Sequence, residues 1–171
     1  MLSNSGVKNG LLYGGIAVAT NMILYFIDPT LLLKFYITIP LGIALITFFC
    51  IKAGKEERNL DSDGLLSYGD AYITMLITVV IGSIMFVFWE YVLYSFIWSD
   101  YEEIIKAETI KTMEGFAGMI TDEAIPQEAI DEINKQDFSY GVGTAVISWL
   151  SSTIMGAIYA LILAIFVKRT S

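Results

Sequence analysis

The sequence predicts an all-α membrane protein with four transmembrane helices and short amphipathic helices in the outer loop between spans three and four. Three observations carry that expectation. Residues 9–27, 35–51, 71–89 and 138–167 contain no charged side chain, and a hydrocarbon core about 30 Å thick takes roughly 20 apolar residues in helix. Lysine and arginine gather at one end of these stretches. Between the third and fourth, apolar residues recur at helical spacing among acids.

Span one is placed at 9–27, directly after Lys8. A signal peptide would begin the same way, with Ala17-Val18-Ala19 as a cleavage site. The apolar run continues from Met22 to Ile27, so an uncleaved span is expected. Asp28-Pro29-Thr30 breaks the helix and makes a hairpin with span two, 35–51. Pro40, five residues into span two, is expected to bend it. In the inner loop, 52–70, Asp61-Ser62-Asp63-Gly64 is turn chemistry. A calcium loop over Asp61, Asp63 and Gly64 lacks the later bidentate glutamate. Ser67 is placed to cap span three, 71–90, with Asp70 at the third helical position. Span four, 141–167, ends on Lys168 and Arg169. The whole chain, 1–171, is expected to form one four-span domain.

Four spans put both termini on one side. That side carries Lys8, Lys52, Lys55, Arg58, Lys168 and Arg169, and short loops rich in lysine and arginine stay cytoplasmic. The expectation is a multi-pass protein of the bacterial inner membrane, both termini cytoplasmic and residues 99–137 outside. Aromatic residues crowd the outer end of span three (Phe88, Trp89, Tyr91, Tyr94, Trp98), as at a headgroup boundary.

The outer segment, 99–137, holds eleven acids against three lysines, and so carries the entire net charge of −8. Tyr101, Ile104, Ile105, Met113, Phe116 and Ile120 form one helical stripe. Pro126, after Asp122-Glu123-Ala124-Ile125, is expected at the first position of a second helix whose stripe is Ala129, Ile130 and Ile133. These would form an acidic cap.

Several function classes are disfavoured. An acidic chain repels nucleic acid. The sequence has no histidine, the commonest general base and metal ligand. The single cysteine, Cys50, makes no internal disulfide. No nucleophile–base pair, metal cluster, phosphate loop or dinucleotide fingerprint is present. No catalytic residue, metal or cofactor is therefore assigned, and the chain is not expected to be an enzyme.

Inside the spans the candidates are polar or small. Asn21 lies near the middle of span one, where an amide bonds a neighbouring helix. Thr74, Thr78 and Gly82 form a mildly polar stripe on span three. Glu90 lies roughly 28 Å along the axis from Ala71 at 1.5 Å per residue, which makes it an interfacial carboxylate or, in the sharper reading, a proton or cation site. Ser148, Ser152, Gly156, Ala160 and Ala164 recur by four on span four, as do Gly6, Gly10 and Gly14 on span one. Residues four apart share a face, and small ones let backbones approach in lipid. Spans one and four are expected to pack directly through these faces; a homo-oligomer is the alternative use.

Lys8-Asn9-Gly10-Leu11-Leu12-Tyr13-Gly14, the charged inner loop around Arg58, and Gly64-Leu65-Leu66-Ser67-Tyr68-Gly69-Asp70-Ala71-Tyr72 together resemble DUF4199, a family of small bacterial four-helix inner-membrane proteins of unknown function. The resemblance covers nearly all of the chain. It implies the four-span architecture and brings no substrate, cofactor or active residue. The expected role is a non-enzymatic scaffold or accessory subunit, lying in the lipid bilayer, whose outer cap meets a protein partner. The alternative is a small-solute or cation transporter or channel.

Overall fold

A computed structural model describes residues 4–60, 64–120 and 126–168, except the side chains of 119 and 120. The calcium-loop residues Asp61 and Asp63, the run Asp122–Ile125, the Ile120 side chain and Arg169 lie outside the described residues. Among the described residues six α-helices follow in order: α1 (Asn4–Ile27), α2 (Phe35–Leu60), α3 (Tyr68–Val92), α4 (Tyr101–Ile120), α5 (Gln127–Lys135) and α6 (Val142–Val167). Four of them are long and apolar enough to cross a membrane: α1, α2, α3 with its continuation to Ile97, and α6. The chain divides into two compact units, Met1–Glu90 with Val142–Ser171, and Tyr91–Gly141.

The four long helices make up the first unit. α1 and α2 form the expected hairpin through a 3-10 turn over Pro29–Leu33. The turn is fixed by Asp28, whose Oδ1 accepts from the Thr30 N–H at 2.9 Å and from the Thr30 hydroxyl at 2.8 Å. The hydroxyl bond, then the backbone bond, hold the Asp28 carboxyl below the usual carboxylate range, with Lys34 adding attraction. α2 runs through Pro40 and nine residues past the expected end at 51. Its last turns are polar, and Lys52 faces Glu56 one turn on. At the start of α3 the Ser67 hydroxyl accepts from the Asp70 N–H at 3.1 Å and donates to its carboxylate at 2.6 Å, a side-chain cap for donors that the first turn leaves unpaired.

α3 is the most buried of the four. Its Ala71, Met75 and Val79 form a core with Cys50 of α2 and with Ala160, Leu163, Ala164 and Val167 of α6. The opposite faces are apolar and open: Phe35, Tyr36 and Ile39 on α2, and Ile147, Ile154 and Phe166 on α6, are all more than half exposed. In water such faces would drive aggregation. In hydrocarbon they are already in their solvent.

In the second unit the helical path leaves α3 through a π-helical turn, Leu93–Ile97. Tyr94 stacks on Tyr101 at 4.3 Å between ring centres and lies 5.0 Å from Tyr140. Ser95 donates its hydroxyl to the Tyr140 carbonyl. These contacts join the two ends of the segment by aromatic packing. Lys106 pairs with Glu102 at 2.8 Å and stands over the Phe138 ring. α5 buries Ile133 and turns Glu128, Asp131 and Glu132 outward. Pro126 precedes the first helical residue, Gln127, instead of occupying that position. Its carbonyl still accepts from the Ala129 N–H, so the ring directs the chain into the helix from one place earlier.

Candidate functional site

Most of the residues singled out within the spans make interhelical contacts, and a charged cluster lies apart from them. The contacts come first. Gly6, Gly10 and Gly14 form the buried face of α1, and that face lies on α3. A Cβ at Gly6 would stand 2.7 Å from the Thr74 carbonyl oxygen; one at Gly10, 2.8 Å from the Ile81 Cβ; one at Gly14, 2.8 Å from the Met85 Cβ. Tyr13 in turn fills the space over Gly82. The Thr78 hydroxyl reaches the Gly6 carbonyl at 3.2 Å while also bonding Thr74 O at 3.0 Å. Near the far end, Trp89 Nε1 donates to Asn21 Oδ1 at 2.8 Å. Gly6 with Thr74, Gly10 with Thr78, Gly14 with Gly82 and Asn21 with Trp89 keep one register along two parallel helices.

This corrects the expected pairing of spans one and four. The glycine face of α1 meets the bulky ridge of Ile77, Ile81 and Met85 on α3. The small face of α6 packs on α2 and α3, where a Cβ at Gly156 would collide with Val79 and approach Ile46 at 3.5 Å. The physical reason is complementarity. The glycine groove of α1 closes over that ridge, and the small face of α6 takes in the side chains of Val79 and Ile46. Ala160 and Ala164 are fully buried on that face; Ser148 is half-buried and Ser152 exposed. Glu90, half-buried, is the last residue of the first unit's α3 segment.

The charged cluster lies where the start of α1 meets the end of α2. Glu56 Oε2 accepts from Lys8 Nζ at 3.2 Å and from Asn9 Nδ2 at 2.9 Å, while Oε1 lies 4.0 Å from Lys52 Nζ. Asn9 is 0% exposed and also donates to the Ser5 carbonyl at 2.9 Å. Its amide fixes the carboxylate from below, and the two lysines hold it from the solvent side. Sequence reading missed this cluster because its halves are 47 positions apart. The available signal was an amide directly after Lys8, at the first position of a charge-free span.

The remaining interhelical bonds are of the same kind. The Thr47 hydroxyl and Tyr159 OH meet at 2.8 Å between α2 and α6, and Ser83 meets Thr153 at 3.3 Å between α3 and α6. Tyr68 OH donates to the Leu161 carbonyl at 3.1 Å. No group of three metal-ligating side chains comes together among the described residues.

A family model described as "Protein of unknown function (DUF4199)" matches residues 8–169. The chain belongs to the DUF4199 family. No curated protein and no solved structure matches it. The match to DUF4199 begins at Lys8 and so takes in both halves of the charged cluster. With four helices fit to span a bilayer, this DUF4199 member is a multi-pass integral membrane protein of unknown activity.

Proposed function

We infer that this DUF4199 member is a non-enzymatic scaffold or accessory subunit of the bacterial inner membrane. In this reading the four long helices form a bundle, both termini are cytoplasmic, and the acidic second unit stands outside as the surface that meets a protein partner. The observation that carries it is the use of the intramembrane polar groups. The Asn21 amide oxygen, the Thr78 hydroxyl and the Ser83 hydroxyl all end on neighbouring helices, which is how polar side chains hold a membrane fold together. A continuous water-filled path lined by Asn21, Thr74, Thr78 and Glu90 would favour transport. The first three are buried against neighbouring helices, which favours the packing role.

The test uses crosslinking from the second unit in native membranes. A photoreactive side chain at Ile104 or Ile130 is expected to capture one defined protein; capture of lipid alone argues against the scaffold reading. Cation flux into liposomes that is lost in Glu90→Gln would instead establish transport.

A further inference from the structure

The Lys8–Glu56–Lys52 cluster offers more than a link between α1 and α2. Each ammonium has three donors, and contact with Glu56 uses one of them at most. The side chains of Lys8 and Lys52 stay 61% and 39% exposed, against 29% for Glu56. Lys52 also stands over the Phe49 ring at 5.8 Å, and the donors left over on both lysines can meet an acceptor from the surroundings. Lys8 bonds one oxygen of the carboxylate at 3.2 Å, Lys52 lies 4.0 Å from the other, and that carboxylate is anchored by an amide with no exposure. Two cations against one anion leave the cluster with an excess positive charge. Its depth is equally specific: Lys8 immediately precedes the charge-free stretch 9–27, and Lys52 immediately follows 35–51. The cluster thus lies at the level where phospholipid phosphates stand.

We propose that Lys8 and Lys52, held by Glu56 and Asn9, form a binding site for the phosphate of a phospholipid in the leaflet at the termini. The phosphodiester accepts from both ammonium groups. Its acyl chains run along the apolar surface beside them, where Leu11 and Leu12 of α1 and Phe48 of α2 are exposed. Holding the two lysines in place beforehand removes part of the side-chain entropy that a free surface lysine loses on binding. The site is independent of the scaffold reading, since it lies on the first unit and needs no protein partner.

The experiment measures phospholipid retained by the full chain in detergent, by native mass spectrometry, and thermal stabilisation by added phosphatidylglycerol. Diacylglycerol, which lacks the phosphate, and glycerol phosphate, which lacks the acyl chains, serve as comparison probes. Lys8→Gln and Lys52→Gln are each expected to weaken retention about fivefold, with recovery in Lys→Arg variants. Lys168→Gln, which removes a cation at the same end that is not paired with Glu56, is expected to leave retention unchanged. Equal losses in all three glutamine variants would show a diffuse basic surface and overturn the site. Retention unchanged in all three would overturn it as well. Stabilisation by glycerol phosphate alone would assign the cluster to a free anion and overturn the lipid. Should a glutamine variant fail to fold, the probe series on the unaltered chain still decides, because equal stabilisation by diacylglycerol refutes a phosphate site.

Discussion

A methyl group added at Gly10 tests the register of α1 on α3 directly. The new Cβ would stand 2.8 Å from the Ile81 Cβ and 3.0 Å from the Thr78 carbonyl oxygen, where carbon atoms settle at about 3.5–4.0 Å. The obstacle includes backbone, so rotation of a side chain cannot relieve it, and the helices must separate by roughly 1 Å to reach that spacing. Overpacking of this kind costs ~1–3 kcal/mol. Alanine also brings a helix-propensity gain over glycine of up to ~1 kcal/mol, which partly masks the loss. Gly15→Ala serves as the reference, because nothing lies within 4 Å of that position and the gain acts there alone. The difference between the two variants isolates the packing cost. The assay is reversible unfolding in mixed micelles by titration with a denaturing detergent. Gly10→Ala is expected to be less stable than Gly15→Ala by ~1–3 kcal/mol. Adding Ile81→Gly, which removes the Cβ that is met at 2.8 Å, should recover part of the deficit, with a coupling of about 0.5–3 kcal/mol, whereas Gly10→Ala and Gly156→Ala should be additive. Equal stabilities for Gly10→Ala and Gly15→Ala, or coupling to Gly156 in place of Ile81, would refute the register.

Other outcomes are equally concrete. In a double-mutant cycle of Asn21→Leu and Trp89→Phe, the bond between them should register about 0.6 kcal/mol and no more than about 1.7 kcal/mol; zero coupling would remove it from the contacts that order the helices. Asp28 is held below its ordinary range by the Thr30 bonds, so its contribution is present above the unfolded value and lost as pH falls through the folded one. Thr30→Val should raise the Asp28 titration midpoint and shift that loss to higher pH, measured by carboxyl NMR; an unchanged midpoint would discount the hydroxyl bond. The single cysteine, Cys50, is buried, so the unaltered chain should resist an impermeant maleimide. Against that silent background, Glu103→Cys should label in intact cells and Lys55→Cys only after permeabilisation; the reverse pattern would invert the orientation.

Membrane spans are legible because composition alone decides them: a run without charges long enough to cross hydrocarbon has few soluble uses. The hairpin turn and the Ser67 cap are legible because their chemistry is local, settled within four residues. Helix ends are less so. α2 continues to Leu60 since no proline interrupts 52–60, so the change of composition near residue 51 marks a change of solvent and not the end of the helix. The pairing of faces is not legible at all. Two small-residue stripes at matching depth invite being packed together, but a stripe records only that something comes close. The partner of Gly10 is Ile81, an ordinary apolar residue with no mark in the sequence. The same limit hides the charged cluster, since Asn9 and Glu56 become neighbours only once α1 and α2 fold back on each other.

The matching of α1 to α3 has a consequence for how the molecule is made. During synthesis the first two helices emerge with the notch of Gly6, Gly10 and Gly14 still empty, and only the third supplies the residues that fill it. Closure is therefore a late event that unites the front and back of the polypeptide by shape. Fragments 1–60 and 64–171, expressed separately, should find each other in the bilayer, and a front fragment carrying Gly10→Ile should remain alone.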